Sequence, residues 1–556
     1  MPRRSFNGTS GPWPSARFSM PAFAPTSENW KSSNERRSSV ARSIHSRLHL
    51  CGMLVTQSPL HVGGHGEEVD TDLPLTRNGA DQLYVPGTSL AGALRELAER
   101  LFGRSVIDEL WGFQDGDRGH ASFVVVDDAV IENGDKVVVE IRDHVGIDRE
   151  YSCAAEHIKY DRAILPRGVR LPLRLAVEVA RQERRDQALA MLAALKQALE
   201  AGEVRLGAVK TRGLGHIRLI DGQLTEQVFS HRQGILAMLR QSQGAVVPQA
   251  DIDATQKKHP TQKRPRLTLT IHWKPIGPLM VKAGCEGIAS DMLPLVSRVN
   301  GDIALVLPGS SVKGALRSQA ERIVRTVRGE TAPGWLGGQG RHKFLDAVTL
   351  PLINELFGAA KQTTAEPHLG LGALGVRDCY GTSLDQDHWL EIVAASEVRD
   401  RNGKVIRRAD EELKRILRKS NQTKDWQTAY HVAIDRWLGS AAESMLYTVL
   451  EPHRTEWEPL TLEVNLQRLP DALQLLGLAL LLLVIRDLAN DRLPLGFATH
   501  RGMGTVQVTG FQVATHDLVG DLTRLSDIEF VNGRLRNLPD ALKSAWNDWA
   551  RQGVPA

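Results

Sequence analysis

Two stretches alternate apolar and polar residues with period two, HSRLHLCGMLV (45–55) and RLTLTIHW (266–273), and each predicts a half-buried strand. Behind each comes a Pro-Gly and a Ser/Thr pair, then apolar residues at helical spacing: PGTSLAGALRELAERLF (86–102) and PGSSVKGALRSQAERIV (308–324). Strand-like LPLRLAVEVA (171–180) and LTLEVNL (460–466) lead into Ala/Leu-rich helices at 186–200 and 471–488. Glycine-punctuated TRGLG (211–215) and HRGMG (500–504) then turn into closing strands. Strand, helix, strands, helix, strand is the order of an α+β sandwich of the ferredoxin-like or RRM-like kind.

That order occurs twice because the chain repeats itself. LYVPGTSLAGALRELAE (83–99) returns as LVLPGSSVKGALRSQAE (305–321), and IDELWG (107–112) as INELFG (353–358). The block at 144–179 returns without a gap at 431–466, and VKTRGLGHIRL (209–219) as ATHRGMGTVQV (498–508). Blocks in one order with growing offsets mean two copies of one domain, at 44–220 and 266–512. A polar linker (221–265) joins them, an extension (513–556) follows, and the second copy carries insertions near 324–350 and 385–428. The longest apolar run, Leu473 to Ile485, has 13 residues, short of the ~20 a membrane span needs, so a buried helix is expected there and no membrane partner.

Composition changes little in this picture. With 42% apolar and 24% charged residues the chain is of ordinary globular type, neither disordered throughout nor membrane-embedded. The net charge of +4 sits in the tail: residues 1–47 hold eight Lys/Arg against two acids, and the remaining 61 basic and 63 acidic residues leave a body near −2. Net charge therefore gives no argument for nucleic-acid binding, which only local patches could supply. Residues 1–43, rich in Ser, Pro and Arg, read as a disordered tail or as an over-extended start with Met20 as the true one. Cys51, Cys153, Cys285 and Cys379 stand far apart, which points to a reduced cytoplasmic compartment without structural zinc.

Four places hold candidate chemistry. The loop after the first strand reads PLHVGGHGEEVDTDLPLTRNG (59–79) in one copy and PLMVKAGCEGIASDMLPLVSRVNG (278–301) in the other. Counted from Pro59 and Pro278, Asp72 and Asp291 fall in register, each on a glycine-bearing loop before a proline and a basic residue. Such an aspartate suits a divalent ion or a polarised hydroxyl at a phosphodiester, although lone loop aspartates commonly only form turns. The helix start PGSSVKGALR (308–317) offers free N–H groups with Ser310, Ser311 and Lys313 to an anion, or is simply a capped helix. Arg212–Gly213 and Arg501–Gly502 put an arginine on a turn that a phosphate backbone can approach, or make an ordinary hairpin turn. The stretch 399–425, with ten Lys/Arg against five acids, reads as a nucleic-acid clamp or a solvated charged helix. His144 and His431, each four residues before an aspartate, invite a general-base reading, but they precede Ile-Asp-Arg inside an otherwise structural block and read as core or projecting-thumb residues.

The order GG…D-x-P, PGSS-x-KG, LFG, H-x-x-ID…A…E and a final RG-x-G resembles the RAMP superfamily, most nearly the backbone subunit of type III (Csm/Cmr-type) CRISPR effector complexes. A fusion of two such subunits further resembles the multi-domain backbone proteins of type III-D-like systems. The resemblance implies tandem RRM-like domains with projecting thumbs, bound along a guide RNA within a complex that includes a large polymerase-like subunit. It implies endoribonuclease cleavage of paired target RNA at Asp72 and Asp291, dependent on Mg2+ or Mn2+, by attack of a ribose 2′-OH. Guide-gripping residues are then expected at Gly63, Gly64 and Lys282, at Ser89, Arg95, Ser310, Ser311, Lys313 and Arg317, and at Arg212, Gly213, Arg501 and Gly502. Lys282-Ala283 stands where the first copy has Gly63-Gly64, which makes the second centre depart further from the pattern. Alternatives are an assembly subunit with inactive loops and a guide-processing endonuclease of the same superfamily.

Overall fold

The computed structural model describes residues 44–64, 71–149, 152–240, 242, 244–284, 286–331, 350–359 and 370–552. The tail 1–43, Cys285 and most of the insertion at 324–350 lie outside them.

In the first domain the period-two pattern becomes β1 (Ser46–Thr56), which buries Leu48, Leu50 and Leu54. The helical spacing becomes α1 (Gly87–Phe102), whose Leu90, Leu94, Leu97 and Leu101 form one buried stripe. After it come β2 (Val124–Val126), the long strands β3 (Glu140–Ile147) and β4 (Ala154–Ile164), then β5 (Arg170–Val179) and α2 (Gln182–Glu200). The short β6 (Arg212–Gly213) and β7 (His216–Val228) close the domain. The sheet runs β7–β1–β5–β2, with β1 antiparallel to both neighbours. That is the ferredoxin-like arrangement expected from element order. Leucines from α1, α2 and the sheet share one core, each fully buried side chain contributing about 1.5–3 kcal/mol.

The second domain repeats the plan. Its elements are β8 (Arg266–Pro275), a hairpin of β9 (Val296–Val299) and β10 (Asp302–Leu307), then α3 (Gly309–Arg328), β11 (Leu374–Arg377) and β12 (Cys379–Leu384). Helices α4 (Gln386–Val393) and α5 (Ala409–Leu417) precede β13 (Gln427–Ile434), β14 (Ala441–Glu451) and β15 (Leu460–Asn465). Then come α6 (Asp471–Ala489), β16 (Val506–His516) and, in the extension, α7 (Asp540–Gln552). The sheet runs β11–β15–β8–β16, the same order, and β6 of the first domain adds to it in parallel along β11. Helix α6 meets the length and hydropathy of a membrane span, yet Leu480, Leu481, Ile485 and Leu488 pack into the second core, as a buried helix should.

The insertion at 385–428 is a small folded unit. Trp389 and Ile392 of α4, Leu413, Ile416 and Leu417 of α5, and Trp426 pack with Leu293, Ile303 and Leu305. Its charges partly satisfy one another: Arg407 and Arg415 both hold Glu412, lowering its carboxyl to about 2 chiefly through the Arg415 hydrogen bond. That favours the solvated charged helix over the clamp.

Candidate functional site

Strands β3 and β4 pair as a hairpin projecting from the first sheet, and β13 and β14 do so from the second. The two hairpins share a register: Glu140 opposite Ile164 answers Gln427 opposite Glu451, each 287 positions on, and both slip at the same place, Val145/Ile147 and Val432/Ile434. His144 stacks on Tyr160 at 5.0 Å, and His431 on Tyr447 at 5.2 Å. Both histidines belong to the hairpins. Burial first, then Arg162, Arg212 and Arg142, push the His144 imidazole down to about 4, so it is neutral at pH 7.

Each loop aspartate docks on its hairpin in the same way. Asp72 Oδ2 accepts the backbone N–H of Asp161 (2.9 Å), and the Asp72 N–H donates to Asp161 Oδ1 (2.7 Å). Asp291 Oδ2 accepts the backbone N–H of Thr448 (2.7 Å), and the Asp291 N–H donates to Thr448 Oγ1 (2.9 Å). Asp161 and Thr448 are themselves 287 positions apart. Backbone hydrogen bonds clamp one carboxylate oxygen at each centre, while Oδ1 of Asp72 and of Asp291 has no protein partner among the described residues. Both aspartates are solvent-exposed.

Chemically the centres differ. In the first, a second carboxylate stands beside Asp72: Asp161, held by Thr71 Oγ1 (2.7 Å) as well. In the second, a neutral hydroxyl occupies that place, and Thr448 Oγ1 donates to Asp291 Oδ2 (2.9 Å). Neither Asp161 nor Thr448 was picked out from sequence, although the gapless repeat block contains both. No group of three His, Cys, Asp or Glu side chains able to hold a metal ion occurs among the described residues, so a cation here would take one or two carboxylates and complete its shell elsewhere. The first hairpin also reaches the second centre: Asp143, opposite Asp161 across the hairpin, lies against the second loop, where a Cβ on Gly284 would stand 3.1 Å from its Oδ2.

Of the glycine-loop residues, Gly64 is tightly enclosed, a Cβ there meeting Leu75 O at 2.7 Å, while Gly63 bridges Leu75 as Lys282 bridges Pro294. The helix starts are built differently from the expectation. Gly87 N–H donates to Asp128 (2.6 Å) and Gly309 N–H to Asp378 (2.8 Å). A protein carboxylate therefore sits at each N-terminus where a phosphate was expected, and Ser89, Ser310 and Ser311 lie beside it. Lys313 is buried and donates to Thr211 Oγ1 (3.1 Å) and Leu374 O (2.6 Å), which ties the two domains together. Its burial and the arginines around it, Arg212 first, hold its pKa well below the ordinary lysine value. Arg95 pairs with Glu99 and Asp108, and Arg317 with Glu321.

The two R-G turns diverge. Arg212–Gly213 is strand β6 on the second domain's sheet, and Gly213 (φ +104°) lies so close to the Asp378 cap that a Cβ would fall 1.9 Å from Oδ1. Gly502 (φ +87°) has open space around it, and Arg501 reaches the Tyr447 hydroxyl while lying over its ring at 5.8 Å.

A family model of the RAMP superfamily matches residues 53–218 and 294–507, more than half of the chain and one segment in each domain. No curated protein matches it.

Proposed function

The chain belongs to the RAMP superfamily, and from that membership we propose that it is a guide-RNA-binding backbone subunit of a type III CRISPR ribonucleoprotein which cuts complementary target RNA at two points. The observation that carries this reading is the twin docking of Asp72 and Asp291. A carboxylate clamped through one oxygen by a backbone amide keeps a fixed direction, and its other oxygen is left to accept a proton. Placed beside a target-strand ribose, it draws the proton of the 2′-OH as that oxygen attacks the adjacent phosphorus. The 5′-oxygen leaves and takes a proton from water, giving a 2′,3′-cyclic phosphate and a 5′-OH.

Mg2+ or Mn2+ fits these donors, since such hard ions bind through one or two carboxylates and substrate phosphates, and it would supply neutralisation of charge on the phosphate. Asp72 with Asp161 would hold it in the first domain, Asp291 in the second. Guide backbone would be gripped along the glycine-bearing loops, with Gly63, Gly64 and Lys282, and at Arg501–Gly502. Sequence would be read by base pairing, which suits a body with little net charge. Target RNA, guide RNA and the other subunits, a large polymerase-like one among them, would be its partners in the cytoplasm. The second domain's single carboxylate favours a weaker or purely structural second centre as the alternative.

The test is Asp72→Asn and Asp291→Asn in the assembled particle. Asparagine keeps an acceptor for the clamping amide, so the loop stays docked and only the charge goes. Each change is expected to remove one product by about 10²-fold or more with assembly intact, and Asp72→Asn more than Asp291→Asn. Unchanged cleavage in both single variants rejects the assignment. Cleavage of precursor guide RNA by the isolated chain would favour the processing endonuclease.

A further inference from the structure

The contact between the domains is heterologous: the hairpin and R-G turn of the first meet the helix start and sheet edge of the second. Each face used in it therefore occurs a second time, on the opposite domain. On the second domain, Asp378 accepts Gly309 N–H through Oδ1 and Arg142 Nη1 through Oδ2 (2.6 Å), and its side chain is 1% exposed. Glu321 accepts Arg317 Nε through Oε1 and Arg149 Nε through Oε2 (2.6 Å), at 3% exposure.

The first domain has the same acceptors. Asp128 precedes the Ala129–Val130 strand as Asp378 precedes β12, and accepts Gly87 N–H through the same Oδ1. Glu99 stands 222 positions before Glu321 and accepts Arg95 Nε through Oε1 (2.9 Å), as Glu321 accepts Arg317. Asp128 Oδ2 and Glu99 Oε2, the counterparts of the oxygens that Arg142 and Arg149 occupy, have no partner among the described residues. Asp128 is exposed, and Glu99 is 31% exposed. Beside them β2 is the edge of its sheet, where β11 has gained β6.

We propose that this face, Asp128 and Glu99 flanked by β2, docks a hairpin of another polypeptide carrying two arginines seven positions apart, the spacing of Arg142 and Arg149. A second copy of this chain does not fit. Its open hairpin has Arg436 where the first has Arg149, but Ala429 where the first has Arg142. Stacking copies head to tail would bury Asp128 without a counter-charge, which costs more than the contact returns. The chain therefore ends its own series, and a different subunit extends it. This inference rests on the repeated interface and stands whether or not the aspartates cleave RNA.

Sedimentation of the full-length protein tests it. Wild type is expected to remain monomeric, while Ala429→Arg, which supplies the missing cation, self-associates at least about tenfold more tightly. Asp128→Ala or Arg436→Glu added to Ala429→Arg should return it to wild-type behaviour. Circular dichroism on each variant separates loss of fold from loss of contact. Wild-type oligomers that Asp128→Ala dissolves would overturn the exclusion of a second copy. A folded Ala429→Arg protein with no gain in association, or a gain indifferent to Asp128, would overturn the docking face.

Discussion

Asp128 and Asp378 cap equivalent helices in equivalent domains, yet one faces solvent and the other is sealed beneath an arginine from its neighbour. The same split runs through the hairpins. The first buries Arg142 and seats Arg149 against the second domain, whereas the second leaves Trp437 94% and Leu438 73% exposed. Duplication gave two copies of every surface, and fusion consumed one of each pair. What remains open on the second domain is the donor side, and on the first the acceptor side.

The largest difference should appear when the paired aspartates are removed in turn. Asp378→Ala leaves the buried Arg142 guanidinium without its counter-charge and Gly309 without its cap, and should destabilise the protein by about 3–5 kcal/mol. Asp128→Ala loses only a cap, about 1 kcal/mol. Urea unfolding of both variants measures this, and equal losses would mean that the domain junction contributes nothing.

The R-G turns sharpen the contrast at smaller scale. Gly213→Ala must open the junction around Asp378 as well as accept a positive φ, for about 1–3 kcal/mol. Gly502→Ala meets no neighbour, and only the backbone term of about 1 kcal/mol applies. Equal melting shifts for the two variants would show that β6 docks loosely.

These differences mark where sequence reading ends. The repeat, the strand–helix order and both loop aspartates are legible because period and register are local properties of the chain. Asp161 and Thr448 also lay inside a repeat block, but what singles them out is a backbone amide reached across 89 and 157 positions, which periodicity does not encode. Asp128 and Asp378 lay in a segment where the copies share no block. The helix starts therefore looked like anion sites, when each already holds a carboxylate from outside the motif. Lys313 looked like a phosphate ligand for the same reason: nothing local reveals that Thr211 and Leu374 come to meet it.

Acid offers the finest probe of the first hairpin. His144 is held down to about 4 by burial and by Arg162, Arg212 and Arg142, against an ordinary value of 6.5. Above pH 6.5 both folded and unfolded chains carry it neutral, and stability is undiminished by this group. As the pH falls below 6.5 the unfolded chain takes up a proton that the fold refuses, so stability is lost progressively until about pH 4. His216, pushed to about 3 by burial and then by Arg205, titrates over the same range, but it is unchanged by a substitution at His144 and cancels in a comparison. His144→Phe keeps a ring against Tyr160 and removes the proton site. Its urea midpoint relative to wild type should therefore rise between pH 7.5 and pH 5. Parallel pH profiles for the two proteins would mean that His144 is solvated in the fold, and the arginine-lined face of the hairpin would then have to be looser than its contacts with the second domain require.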